Sequence, residues 1–243
     1  VVPVKLLIDK KDRKYLVEGK ELHTGLGVVN IEEAEIGRVV KSHLGHEFSV
    51  LRPRLIDLYE KLPRAGSVFL KKDIGFVLAY TGVGTGDVVV DAGTGSGSVA
   101  MFLANVVRPA GKVYTYEIRE KFADIARKNI ERAGLSDFIE IKMKDITEGI
   151  DERDVDLVTL DLPDPWNAIS HAYKALRHGG FVVSYSPYIE QVKKTADALE
   201  EEAFRAIRTF EVFEREMEIS KKGARPKTRM LGHTAYLTFA RKY

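Results

Sequence analysis

The 243-residue sequence predicts an α/β fold: a mostly parallel sheet wound on both faces, with an antiparallel C-terminal edge and a small β-domain in front. Three observations predict it. From about residue 71, strand-like and helix-like runs alternate, the pattern of successive βα units. Before that, short alternating runs are separated by Gly, Asp and Asn, as in a small antiparallel sheet or barrel. Towards the end, two strand-like runs follow one another with no helix between them, and such neighbours pair antiparallel. The expected division is a β-barrel-like domain over residues 1–62 and a larger domain over 63–243.

In the first part, "PVKLLID", "KYLVEG" and "FSVLRP" read as strands, and Gly45 sits at a turn. "RPRLIDLYEKLP" places Leu55, Leu58, Tyr59 and Leu62 at helical spacing, and Pro63 ends the run. "KKDIGFVLAYTGV" reads as a helix, "DVVVDAG" as a strand, and "SVAMFLANVV" as a helix ending before Pro109. "KVYTYEI" is the next strand. The helix "REKFADIARKNIERAG" follows, stopped by Gly134, with Phe122, Ile125, Ala126, Ile130 and Ala133 on one apolar face. Strands "FIEIKM" and "VDLVTLDL", a helix from about Trp166 to Leu176 and a strand "GFVVSYS" complete the alternation. A helix from Tyr188 to about Ala203 then carries Ile189, Val192, Ala196 and Leu199 on one side. The closing runs "AIRTFEVFEREMEI" and "GHTAYLTFARK" are joined by "SKKGARPKTRML".

Composition excludes several chemistries. There is no cysteine, which rules out disulfides, thiolate metal sites and a cysteine nucleophile. With 38 basic and 36 acidic residues the net charge is +2, so contact with nucleic acid needs a local basic patch. No run approaches the length of a membrane span, and the first residues lack the order of a secretory signal; a cytoplasmic protein is the default expectation. His43 and His46 form an H-x-x-H pair without an evident third ligand, and we read them as structural, leaving no metal site.

The stretch "VVVDAGTGSGSVAMFLAN" (88–105) runs a strand through a glycine loop into a helix. A helix N-terminus offers free amides and a favourable dipole to a nucleotide-like ligand. No Gly-Lys-Ser/Thr follows at Walker spacing, so a phosphate loop is excluded. Gly93, Gly95 and Gly97 give G-x-G-x-G, with Ser98 where a dinucleotide fingerprint has its third glycine, so a plain dehydrogenase fits poorly. A glycine turn with no ligand stays open on this loop alone.

The spacing instead resembles the first motif of the Rossmann-like class I S-adenosylmethionine-dependent methyltransferases, and later acids stand in that family's order. Glu117 ends the second strand, where an acid accepts hydrogen bonds from ribose hydroxyls in folds of this type. Asp145 follows the third strand and Asp161 ends the fourth. Singly, each could be a capping or turn residue; together they surround one crevice. Asp161-Leu-Pro-Asp-Pro-Trp166 resembles the fourth motif of enzymes that methylate nucleobase nitrogen, in a looser form because Leu162 and Asp164 interrupt it.

Along nearly its whole length the chain resembles the archaeal and bacterial tRNA (adenine-58-N1)-methyltransferase family. The resemblance is carried by "LHTGLGVV", "IGRVVKSHLGHEFSVLRP", "YEIREKFADIARKNI", "KDITEGI", "LDLPDPW", "SYSPYIEQV" and, most diagnostic, "RPKTRMLGHTAYLTFARK". It implies S-adenosylmethionine as cofactor, held by Gly93, Thr94, Gly95, Ser96, Gly97, Ser98, Glu117, Asp145, Ile146 and Asp161. It implies tRNA as partner and a homotetramer. The implied reaction is methylation of N1 of a T-loop adenine, with the neighbouring adenine a target in some archaea. Asp161 takes the central catalytic role, orienting the adenine amino group or the cofactor ammonium group. Adenine N1 carries a lone pair and no proton, so the transfer needs alignment and a dry cavity rather than a base.

A base in a folded loop must be exposed or flipped; Tyr185, Tyr188 and His233 are the candidates for its pocket, each with a plain packing or turn role as alternative. Lys221, Lys222, Arg225, Lys227 and Arg229 form a basic run without an intervening acid, suited to phosphate or simply to solvent. The chain departs from the family at Leu70, where many members have tyrosine. Two other readings remain: a methyltransferase of this fold acting on protein or a small molecule, and a non-catalytic tRNA-binding subunit. The intact glycine motif and Asp161 disfavour the last.

Overall fold

The computed structural model describes residues 4–64 and 69–243. It divides into two compact units, Val1–Pro63 and Arg64–Tyr243.

In the first unit, β1 (Lys5–Asp9), β2 (Lys14–Val17), β5 (Val39–Lys41) and β6 (Glu47–Leu51) form an antiparallel sheet in the order β2-β1-β6-β5. The first expected strand starts at Lys5; Pro3 lies outside the described residues. β3 (Glu21–Thr24) and β4 (Gly27–Asn30) pair only with each other. That leaves four strands for the sheet, and no ladder among the described residues joins β2 to β5, so it is open, not a closed barrel. Leu7, Val17, Val29, Ile31, Phe48 and Val50 make its core. α1 (Leu55–Lys61) follows. The Nδ1 of His43 accepts the Val28 amide at 2.8 Å, a structural use of that ring.

The second unit holds a seven-stranded sheet, order β12-β15-β11-β10-β7-β8-β9. Its strands are β7 (Val88–Ala92), β8 (Lys112–Glu117), β9 (Ile139–Met143), β10 (Val155–Leu160), β11 (Leu176–Ser186), β12 (Arg205–Glu211) and β15 (Tyr236–Arg241). β9, β8, β7, β10 and β11 are parallel; β15 runs antiparallel to both β11 and β12. The helices are α2 (Lys71–Thr81), α3 (Ser98–Val107), α4 (Glu120–Arg132), α5 (Ile169–Ala175) and α6 (Ile189–Glu201).

The central strands β7 and β10 are buried along most of their length on both faces and read as near-continuous apolar runs. Phe239 and Ala240, neighbours on β15, show the two sides. Phe239 packs with Phe76 and Tyr80 of α2 and with Phe210 of β12. Ala240 joins Val158, Val182, Ala172 and Leu199 in the cluster beneath α5 and α6. Strand alternation sends successive side chains to opposite faces.

Three local expectations are corrected. The helix expected over 166–176 is a 3-10 turn, Pro165–Ala168, followed by α5. On α4 the buried face is Ala123, Ala126, Asn129 and Ile130, with Phe122 and Ile125 only half-buried. Asn129 can go inside because its side-chain amide donates to the Ser96 carbonyl at 2.8 Å. On α6, Ile189 is 55 % exposed at the first turn, and Thr195 takes the buried place between Val192 and Leu199.

The two closing runs pair as expected, with Glu211 opposite Tyr236. Between them lies an extra hairpin, β13 (Met217–Ser220) with β14 (Gly223–Pro226). "EREMEI" therefore belongs partly to this hairpin rather than to β12.

Candidate active site

The glycine loop leaves the carboxyl end of β7 and enters α3 at Ser98. Gly93, Gly95 and Gly97 all have positive φ, at 82°, 54° and 80°, a region costly for any residue with a Cβ. At Gly93 a Cβ would collide with the carbonyl oxygen of Asp161. At Gly97 it would lie 3.3 Å from the Ala126 Cβ, so this glycine lets α4 approach the loop. The bareness of the loop thus serves its own packing as well as a ligand.

Beneath it sits a buried polar network. Asp91, 2 % exposed, accepts from the hydroxyls of Thr115 (2.7 Å) and Thr159 (2.6 Å) on the two flanking strands. Thr94 and Thr115 share a further bond of 2.7 Å; since the Thr115 proton goes to Asp91, Thr94 donates. Burial pushes the Asp91 carboxyl up, against the pull of the two threonines.

Gly93, Glu117, Asp145, Ile146 and Asp161 line one cleft at the carboxyl ends of the strands, the position at which open α/β sheets bind ligands. Thr94, Ser96 and Ser98 are buried in the adjoining loop. Glu117 is 3 % exposed and accepts from the Gly95 amide (3.0 Å), the amides of Ile118 and Arg119, and the Arg119 guanidinium (2.9 Å). Burial would raise its carboxyl, but these donors outweigh burial and hold it below its ordinary value. Asp145 caps the short turn Ile146–Glu148, with one oxygen, Oδ1, accepting from both the amide and the hydroxyl of Thr147. Among the described residues its other oxygen makes no hydrogen bond.

Asp161 is different. Its amide donates to the Ala92 carbonyl at 2.9 Å, yet its half-buried carboxylate accepts no hydrogen bond among the described residues. Burial, and then the negative charge of Asp91, push it up to about 7, with Arg119 pulling the other way. An acid without donors at the mouth of a crevice suits contact with a ligand.

The substrate candidates are less gathered. Tyr185 is 6 % exposed and stacks on Phe69 at 4.0 Å between ring centroids. Tyr188, 66 % exposed, precedes α6. His233 Nδ1 meets Glu211 Oε1 at 2.6 Å and Nε2 meets the Pro187 carbonyl at 2.8 Å. Two acceptors require two N–H donors, and the Glu211 carboxylate first, then the carbonyl, raise the His233 pKa. Of the basic run, Arg225 pairs with Glu218 (3.1 Å) and Lys227 with Glu216 (2.7 Å) across the hairpin. Acids absent from the run in sequence are thus supplied by pairing, while Lys221, Lys222 and Arg229 make no ion pair among the described residues.

Arg119 was not foreseen. It lines the cleft, pairs with Glu117 and lies 3.8 Å above the Phe122 ring. Its sequence signal, one arginine two residues after an acid, is indistinguishable from an ordinary surface charge. The threonines holding Asp91 were equally silent, because they come from other strands.

A profile described as "tRNA methyltransferase complex GCD14 subunit" matches residues 53–224. A tRNA (adenine(57)-N(1)/adenine(58)-N(1))-methyltransferase TrmI of Methanocaldococcus jannaschii is 46% identical, covering 98% of this chain and 94% of its own. The chain belongs to the TrmI family of tRNA (adenine-N1)-methyltransferases. The Thermus thermophilus TrmI, tRNA (adenine(58)-N(1))-methyltransferase, is 36% identical over 98% of this chain and 96% of its own. Among solved structures, a Thermotoga maritima chain described as a SAM-dependent O-methyltransferase superposes with a TM-score of 0.91 at 36% identity, covering 99% of this chain and 93% of that one. TrmI of Aquifex aeolicus, at 24% identity, shares the fold with a TM-score of 0.81 over 100% of this chain and 97% of its own.

TrmI-family chemistry uses S-adenosylmethionine, and the cleft fits it. The loop packs too closely to admit side chains at Gly93. Asp145, with one oxygen open among the described residues, and Asp161, whose carboxylate accepts no hydrogen bond among them, line the cleft together. Ile118, 65 % exposed, adds an apolar wall.

Proposed function

We propose that this chain transfers a methyl group to N1 of adenine 58 in the tRNA T-loop, and to adenine 57 as well. The observation that carries the reading is the 46% identity, across 98% of the chain, to a relative named for both positions. When bound, S-adenosylmethionine supplies an activated methyl group on a sulfonium. The chain supplies alignment. In this reading the amides of the glycine loop and the N-terminus of α3 receive the cofactor's polar end, Glu117 the ribose hydroxyls, and Asp145 with Ile146 the adenine.

Asp161 is the catalytic residue: its carboxylate accepts a hydrogen bond from the target adenine's amino group or the cofactor's ammonium group, and its charge favours the cationic product. Having no other partner, it is free to do so. In the same reading Tyr188 and His233 border the entering base, and Tyr185 is buried against Phe69. Lys221, Lys222 and Arg229 bind phosphate, an attraction that weakens with salt. A tRNA substrate supports a cytoplasmic enzyme, and no helix among the described residues is long and apolar enough to cross a membrane.

A homotetramer belongs to the same proposal. Met217 and Ile219 alternate along β13, opposite Pro226 and Ala224, and all four are exposed. A lone two-stranded hairpin is marginal in water, so a neighbouring subunit covering this apolar side would stabilise it.

The test is transfer of labelled methyl to an unmodified tRNA transcript, with the product mapped by nuclease digestion and mass spectrometry. We expect 1-methyladenosine at both positions. A second reading, methyl transfer to oxygen, has the description of the Thermotoga maritima chain as a SAM-dependent O-methyltransferase in its favour. Cofactor binding without any transfer to tRNA would favour it.

A further inference from the structure

The Asp161 carboxylate accepts no hydrogen bond among the described residues, so its position depends on the backbone that carries it. That backbone is fixed at three points. The Asp161 amide donates to Ala92, and the Asp161 carbonyl packs on the bare face of Gly93. The third point comes from another element. Gln191, in the first turn of α6, donates from Nε2 to the Pro163 carbonyl at 2.7 Å, while its Oε1 accepts the Tyr188 amide at 3.1 Å.

One side chain therefore bridges the segment carrying Asp161 and the segment presenting Tyr188. Lys194, one turn along α6, lies 4.5 Å over the Trp166 ring and fastens the same loop further on. The segment needs such fastening. Pro163 and Pro165 lack N–H groups, so the loop has few donors with which to hold itself, and Pro163 and Asp164 are exposed.

We infer that Gln191 is a positioning residue for methyl transfer, holding the Asp161 loop in register with the base-entry side of the crevice through its bond to the Pro163 carbonyl. This rests on the functional reading above. Misplacement of a reacting group by about 1 Å can cost on the order of a hundredfold in rate, so loss of this bond should slow transfer without weakening cofactor binding.

Two variants separate this role from simple helix capping. Gln191→Glu keeps an acceptor for the Tyr188 amide but turns the donor facing Pro163 into a second acceptor. Gln191→Ala removes both contacts. We expect both to lower the single-turnover rate about ten- to a hundredfold, with cofactor affinity unchanged and, for Gln191→Glu, an unchanged Tm. Amide hydrogen exchange should rise in both variants at Asn167, whose N–H donates to the Asp164 carbonyl, and stay unaltered in the glycine loop.

Wild-type rate and exchange in Gln191→Glu, with defects only in Gln191→Ala, would reduce Gln191 to a cap and overturn the inference. So would a fall in cofactor affinity matching the fall in rate. If the wild-type protein modifies no tRNA, the functional reading fails, and the exchange measurement still decides whether Gln191 holds the loop.

Discussion

The two halves of the crevice are built differently. On the side of β7, β8 and β9 nearly every polar group is already engaged: Asp91 by two threonines, Glu117 by amides and Arg119, and Asp145 by its cap. On the side of β10, β11 and β15 the Asp161 carboxylate stands without a donor, Tyr188 projects into solvent, and the hairpin lies exposed. In the proposed function the first half is preorganised for a small ligand of fixed shape, and the second is completed by the tRNA, which brings its own donors and charge.

The sharpest way to break this contrast is Asp161→Ala. It should lower the rate by about 10²–10⁴ while leaving the fold in place, as single-turnover kinetics and circular dichroism would record. Near-normal turnover would remove Asp161 from the central role, and a parallel loss of cofactor affinity would move its contact to the cofactor's ammonium group. The same residue sets a pH dependence. Its pKa is raised to about 7, and the role proposed for it uses the ionised form, so kcat/KM should fall as pH drops through about 7. The raised value also means that ionising Asp161 opposes folding, so its burial lowers stability as pH rises from about 4 towards 7. Asp161→Asn should flatten the activity limb and raise the Tm more at pH 8 than at pH 5.

On the preorganised side, Glu117→Ala should weaken cofactor binding about ten- to a hundredfold by calorimetry, the worth of hydrogen bonds to a charged group. Thr115→Val or Thr159→Val strips a donor from the buried Asp91 carboxylate, and each should cost about 1–3 kcal/mol in denaturant unfolding. The smallest effect belongs to the open side. Charge reversal of Lys221 and Lys222 should reduce the salt dependence of tRNA binding by about two phosphate contacts' worth of slope, with little change in the rate at saturating tRNA.

The same contrast governed what could be read from the sequence. The preorganised half is assembled from strand-end motifs that the sequence displays, Gly93, Glu117 and Asp145, and Asp161 at the end of the next strand joins them in one crevice. Asp161 is legible in the sequence as the end of a strand; that its carboxylate accepts no hydrogen bond among the described residues is not. The supports of that half, Thr115, Thr159 and Asn129, come from other elements and look like ordinary residues in their own segments. In the open half, cross-strand pairing decided the outcome. The run from Lys221 to Arg229 is free of acids in sequence, but hairpin register brings Glu216 and Glu218 against two of its members. The periodicity of α6 promoted Ile189 to the core, where the first turn in fact lies at the rim.

The place of β15 has a consequence for biosynthesis. It is the latest strand of the sheet to be made, yet it lies inside, between β11 and β12. β12 has no ladder in the sheet except through β15. During translation, the growing chain can assemble β7 to β11 and then must wait, with β12 and the aromatic side of α2 uncovered, until Arg241 has cleared the ribosome. Domains generally fold as units, and exposed strand edges in such intermediates favour aggregation. The nascent sheet is therefore most vulnerable in the interval before β15 arrives, and that strand acts as the keystone that ends it.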